Sequence, residues 1–77
     1  MNVIDVRREI GAKVAQKREC LGVSQEKLAH AMGFRDQSSV SKIENGLQAL
    51  TADQAVKLAK LLQVPVEELL DVGIEYA

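Results

Sequence analysis

The chain has 77 residues and a formal net charge of −1; 47% of it is hydrophobic, with Phe34 and Tyr76 as its aromatics and no tryptophan. A chain of this length forms one small domain over 1–77 and buries only about 60% of its unfolded surface, which leaves little room for a deep catalytic cavity and calls for an aliphatic core. The single cysteine, Cys20, excludes an internal disulfide and a zinc finger; with no apolar run near the ~20 residues of a membrane span and no signal peptide, a reducing cytoplasm is the expected location.

The charge is unevenly spread. Up to Gln48 the chain carries eight basic and six acidic residues, a balance of +2; from Ala49 onward two lysines face five acids, a balance of −3. The near-neutral total, which speaks mildly against a nucleic-acid partner, therefore hides an N-terminal part able to face an anion and a C-terminal part suited to face away from one.

Val6, Ile10, Val14, Arg18 and Leu21 recur every three to four residues and predict α1 over about 6–21, capped by Asn2 or Asp5 and stopped by Gly22. Ser24 supplies the capping oxygen for α2, expected over about 25–32 with Leu28, Ala29 and Met32 inward, and Gly33 suits the left-handed position that ends it. Phe34 is expected beneath the following turn. Asp36 can cap α3, over about 37–45, whose inner side chains are Val40 and Ile43 and whose end is Asn45-Gly46. Thr51 caps α4, over about 52–63, with Ala55, Val56, Leu58, Ala59 and Leu62 inward, and Pro65 opens α5 at about 66–71. Five helices on one core follow.

Four stretches carry a resemblance: Ser24-Gln25-Glu26 with Leu28-Ala29; Met32-Gly33; Ser39-Val40-Ser41-Lys42-Ile43-Glu44-Asn45-Gly46; and Leu58-Ala59 through Val64 to Glu68-Leu69-Leu70. Singly each is weak. In this order and spacing, over roughly Ile10 to Leu70, the chain resembles the phage Cro and repressor type of helix-turn-helix protein. The resemblance implies an all-α, lambda-repressor-like DNA-binding domain with its helix-turn-helix at 24–46. It implies base contacts from Gln37, Ser38, Ser41 and Lys42, and backbone contacts from Gln25, Arg35, Ser39, Asn45 and Gly46. It also implies a partly buried structural salt bridge between Arg18 and Glu44. The chemistry agrees, since Gln can pair with adenine, Lys can donate to guanine and Ser is adaptable. The first turn of α2 at Gln25 suits a phosphate through its free N–H groups and dipole. One departure stands out. Val40 lies seven residues after Gly33, one more than the usual family spacing, so the turn Phe34-Arg35-Asp36 holds an extra residue that shifts the start of α3 and brings Arg35 nearer to a bound duplex.

Blander readings compete at each site. The four outward residues of α3 also suit a solvated face, Gln25 an ordinary first-turn position, and Lys17 and Arg35 plain solvent charges. His30 has no plausible ligand partner, so no metal is expected, and Cys20 reads as a helical filler. Glu67 and Glu68 point apart and read as first-turn acids. No nucleophile–base set or phosphate-binding glycine loop is present, so neither an enzyme nor a cofactor is expected. Leu69, Leu70, Val72, Ile74 and Tyr76 either close the core or form a two-fold dimer seam at 66–77; the family leans to the dimer. The expectation is thus a homodimeric, sequence-specific transcriptional regulator, a repressor, reading a palindromic operator on double-stranded DNA. It has no membrane or small-molecule partner and is open to control by a partner protein. The rival is a protein-interaction module of the same fold, an antitoxin or anti-repressor, which the acidic pI favours.

Overall fold

A computed structural model describes residues 2–71 of the chain. Five helices follow in order: α1 (Val3–Cys20), α2 (Gln25–Met32), α3 (Ser38–Glu44), α4 (Ala52–Leu62) and α5 (Val66–Leu70), with no strand among the described residues. The all-α, five-helix expectation matches this architecture. The first helix begins three residues earlier than its hydrophobic periodicity suggests. The Asn2 carboxamide oxygen accepts from the Asp5 N–H at 2.9 Å, so Asn2 is the cap and the exposed Val3, Ile4 and Asp5 form a solvated first turn. At α2 and α4 the expected caps hold. Ser24 Oγ accepts from Lys27 N–H at 3.0 Å, and Thr51 and Gln54 form a reciprocal capping box at 3.1 and 3.0 Å. The last of these helices closes on Gln63, a non-glycine residue at φ +61°.

The core joins Val14 of α1, Leu28, Ala29 and Met32 of α2, Val40 and Ile43 of α3, Leu58, Ala59 and Leu62 of α4, and Leu69 of α5. Ile10, Val23, Phe34, Leu50, Val64 and Val66 pack around it. Two expected core residues lie outside. Leu21 is the residue after the last turn of α1 and is exposed. Val56 is 46% exposed, because the inner stripe of α4 is the 55, 58, 59, 62 set and residue 56 stands about 100° around the helix from residue 55.

A position the periodicity passes over sets how α1 and α3 sit. Gly11 is buried against the end of α3. A Cβ there would lie 2.3 Å from the Ile43 carbonyl oxygen and 2.6 Å from that of Glu44, so α1 and α3 approach backbone to backbone. The short α5 is anchored by its buried Leu69, with a surface ion pair beside it in which Lys17 Nζ donates to Glu68 Oε1 at 2.9 Å.

Candidate nucleic-acid interface

The turn between α2 and α3 is built from backbone first. Gly33, at φ +78°, is the left-handed end of α2, and the Phe34 N–H donates back to the Ala29 carbonyl at 2.9 Å. Phe34 is half-buried against the core, which leaves Arg35 and Asp36 on the surface. The extra turn residue is absorbed here. The third helix starts at Ser38, with Gln37 already in right-handed helical conformation just before it, and Asp36 Oδ1 accepts from the Ser38 N–H at 2.9 Å. The cap position is therefore Gln37, which makes no side-chain cap bond, and not Asp36 as expected; Asp36 stands one residue earlier, because the helix starts one residue later, and accepts from its first N–H.

The same oxygen also accepts the Ser38 hydroxyl. These two bonds, the hydroxyl's first, hold the Asp36 carboxyl below its ordinary value near 3.8. With Val40 and Ile43 fixed inward, the opposite side of α3 presents Gln37, Ser38 and Lys42 to solvent and Ser41 half-buried. Ser39 is half-buried beside them. Glu26, Lys27, Arg35, Asp36 and Gln37 line one groove between α2 and the turn, so two basic and two acidic side chains stand beside the outward face.

Behind this face one carboxylate ties three helices together. Glu44 Oε2 accepts from Arg18 Nε at 2.7 Å, and its Oε1 accepts from Arg18 Nη2 at 3.1 Å and from Gln25 Nε2 at 2.9 Å. Arg18 Nη1 donates to the Val23 carbonyl at 2.9 Å. The two charged side chains are 12% and 6% exposed, and the hydrogen bond to Glu44 is the main cause that raises the Arg18 guanidinium above its already high ordinary value. Sequence reasoning pairs Arg18 with Glu44 but misses Gln25 as the third member; both residues are polar and lie 19 positions apart, a separation that no helical periodicity connects. Gln25 spends one amide hydrogen on Glu44 and keeps the other. Its neighbouring backbone N–H groups are those that a helix start leaves without an intrahelical acceptor.

Two expectations fail on geometry. Gly46 is buried at φ +75°, its missing Cβ would stand 2.6 Å from Arg8 Cγ, and its N–H donates to the Ile43 carbonyl at 3.1 Å. Its glycine therefore serves the packing of α1 on the end of α3, and its backbone donor is not available to a phosphate. Asn45 remains exposed, with Nδ2 donating to the Ser41 carbonyl at 2.8 Å. Leu69, placed at the dimer seam by sequence, has 0% exposure and belongs to the core. Leu70 is 44% exposed and, with Val3, Val6, Ile10, Leu50 and Ala55, lines an apolar groove of about 420 Å³ on the α1–α4–α5 side. Val72, Ile74 and Tyr76 lie outside the described residues. The exposed Val3, Ile4 and Leu47 add to the apolar surface; the signal for them is plain hydrophobicity at positions that sequence reasoning leaves outside the helices. Among the described residues no metal-holding cluster occurs and no helix is long and apolar enough to cross a membrane.

A helix-turn-helix family model matches residues 14–69. The chain belongs to the helix-turn-helix family, in its Cro and repressor type. This helix-turn-helix protein is 34% identical over 65 residues to an uncharacterised HTH-type transcriptional regulator from Sinorhizobium medicae (strain WSM419), a match that covers 84% of the present chain and 45% of that relative. Among solved structures it is similar to the restriction-modification controller protein C.AhdI from Aeromonas hydrophila, with a TM-score of 0.80 and 29% identity over 90% of this chain and 99% of that one. It is also similar to SinR, the master regulator for biofilm formation, solved in complex with DNA, with a TM-score of 0.73 and 35% identity over 80% of this chain and 98% of that one. The matched region lies within the stretch of resemblance, Ile10 to Leu70.

Proposed function

We propose that this helix-turn-helix protein is a sequence-specific regulator of transcription, a repressor, that binds a palindromic operator on double-stranded DNA as a homodimer in the cytoplasm. The observation that carries the reading is the α3 surface. Gln37, Ser38 and Lys42 stand exposed and Ser41 half-exposed on the side opposite Val40 and Ile43. A helix presented this way fits the major groove, where Gln suits adenine N6/N7 and Lys suits guanine O6/N7. Gln25 at the start of α2, with Arg35, Ser39 and Asn45, supplies the phosphate contacts that set register. SinR, solved with DNA, is similar over most of this chain, which supports the partner. The apolar groove at Leu70, which the inward-facing Ile43 of α3 also lines, supports a two-fold seam.

A second reading, a protein-interaction module such as an antitoxin or anti-repressor, draws on the pI of about 5.7 and on the same groove. Selection of bound duplexes from a random library at near-physiological salt separates the two, with a Gln37→Ala/Lys42→Ala double variant as control. The expected result is a palindrome with half-site centres about 10–11 base pairs apart, lost in the control, with binding that weakens steeply as salt rises because phosphate contacts release counterions. Enrichment no better than the control transfers the assignment to the protein-interaction reading.

A further inference from the structure

We propose that Asp36 is a specificity-determining residue of the α3 face: by taking the Ser38 hydroxyl hydrogen it makes Ser38 an acceptor only, so that Ser38 selects an adenine or cytosine, the bases with an exocyclic amino group, on the strand it faces. The inference rests on the DNA-reading assignment above and concerns a residue of the lengthened turn. Asp36 Oδ1 accepts both the Ser38 N–H, at 2.9 Å, and the Ser38 hydroxyl. An ionised carboxylate has no hydrogen to give back, whereas a serine hydroxyl has one hydrogen and two lone pairs. A hydroxyl bonded to a carboxylate makes a charge-assisted bond roughly twice as strong as one to a neutral carbonyl. Guanine O6 or thymine O4 therefore competes poorly for that hydrogen. What Ser38 still offers outward is its lone pairs, and both residues are exposed. In the major groove adenine N6 and cytosine N4 donate, while guanine O6, guanine N7 and thymine O4 only accept. A serine without Asp36 turns its hydroxyl either way and discriminates little. The backbone bond to Asp36 fixes the arrangement further, because it holds the carboxylate beside the hydroxyl whatever rotamer solvent would otherwise favour.

The test starts from random-library selections on the wild type and on Ser38→Ala, which keeps the Asp36 bond to the backbone N–H. The position whose preference flattens in Ser38→Ala is the one Ser38 reads. Operator duplexes are then made in which the amino-bearing base of that pair lacks its amino group (purine for adenine, 2-pyrimidinone for cytosine). The wild type is expected to lose about fivefold in affinity, the factor of one net hydrogen bond, and Ser38→Ala to lose none. Asp36→Ala, checked for folding by its melting curve, is expected to lose less than about twofold, since its freed hydroxyl can donate to a neighbouring acceptor instead. Three results overturn the inference while leaving DNA reading intact: no position flattens in Ser38→Ala, the wild type ignores the missing amino group, or Asp36→Ala responds to it as the wild type does. Absence of any selected sequence in the wild type removes the DNA reading itself and the inference with it.

Discussion

Glu44 shows how much a single side chain is asked to do in a domain this small. Its two oxygens accept three bonds, from Arg18 twice and from Gln25 once, in a site from which most water is excluded. Such a pair adds little net stability over an apolar replacement, but removing one partner strands the other charge. Arg18→Ala is therefore expected to cost ~3 kcal/mol, a large share of the roughly 5–10 kcal/mol available to a domain of this size. Chemical denaturation measures that loss; DNA specificity, read where the variant is still folded, should stay unchanged. A variant that melts like wild type yet loses DNA would sink the structural role. Asp36 makes a pH-dependent contribution with a definite sign. Its carboxyl is held below the ordinary value near 3.8 by the two Ser38 bonds, so the folded state binds its proton less readily than the unfolded state. The contribution is present above that value and disappears as the pH falls through the lower folded-state value. The stability difference between wild type and Asp36→Ala should accordingly be level near neutrality and shrink in acid. A difference that grows in acid would contradict the assignment.

Element boundaries follow caps more faithfully than periodicity. Ser24, Thr51 and Gly33 mark helix ends in the sequence because their local chemistry does the work unaided. The start of α1 is different: its first turn is exposed, so no burial pattern announces it, and only the Asn2 cap does. Gly11 gives the sharpest prediction at this scale. Exchanging a mid-helix glycine for alanine ordinarily gains about 1 kcal/mol. Here the added Cβ would meet two backbone carbonyl oxygens of α3 at 2.3 and 2.6 Å, and neither can swing aside as a side-chain tip could. Overpacking of this kind costs ~1–3 kcal/mol, with rigid backbone placing it at the upper end. Gly11→Ala is expected to destabilise by ~2 kcal/mol net and, because α3 must shift to admit it, to weaken operator binding as well. Equilibrium denaturation and a binding titration together check both halves.

For the molecule as a whole, the proposed homodimer gives the adjacent leucines of α5 different roles, one in packing and one in association. Leu69 fills the core and Leu70 faces the groove. Leu69→Ala should cost about 2–5 kcal/mol by leaving a cavity. Leu70→Ser should change monomer stability by no more than about 0.5 kcal/mol, yet lower the dimer fraction in sedimentation and reduce operator affinity. Equal sedimentation of Leu70→Ser and wild type would contradict a seam at Leu70, and a monomeric wild type would contradict the proposed homodimer. The charge distribution works at the same scale: the +2 balance precedes Gln48 and holds α3, while the −3 balance follows it, so electrostatics favours presenting α3 to a polyanion despite the acidic total.

The five helices, their principal caps and most of the core were legible in the linear chain, because amphipathic spacing, capping oxygens and turn glycines act over three or four residues and need no partner from elsewhere. Val14, Leu28, Val40, Ile43, Leu58 and Leu62 are inward for that reason. The outward set on α3 was legible as soon as Val40 and Ile43 defined the opposite face. What tertiary structure alone decided involves residues far apart in sequence. It set the Gln25–Glu44 bond, the backbone contact that forbids a side chain at Gly11, the burial of Gly46 under Arg8, and the burial of Leu69 beside an exposed Leu70. These depend on the distances between helices, and such distances come from how whole faces pack, which no local pattern encodes.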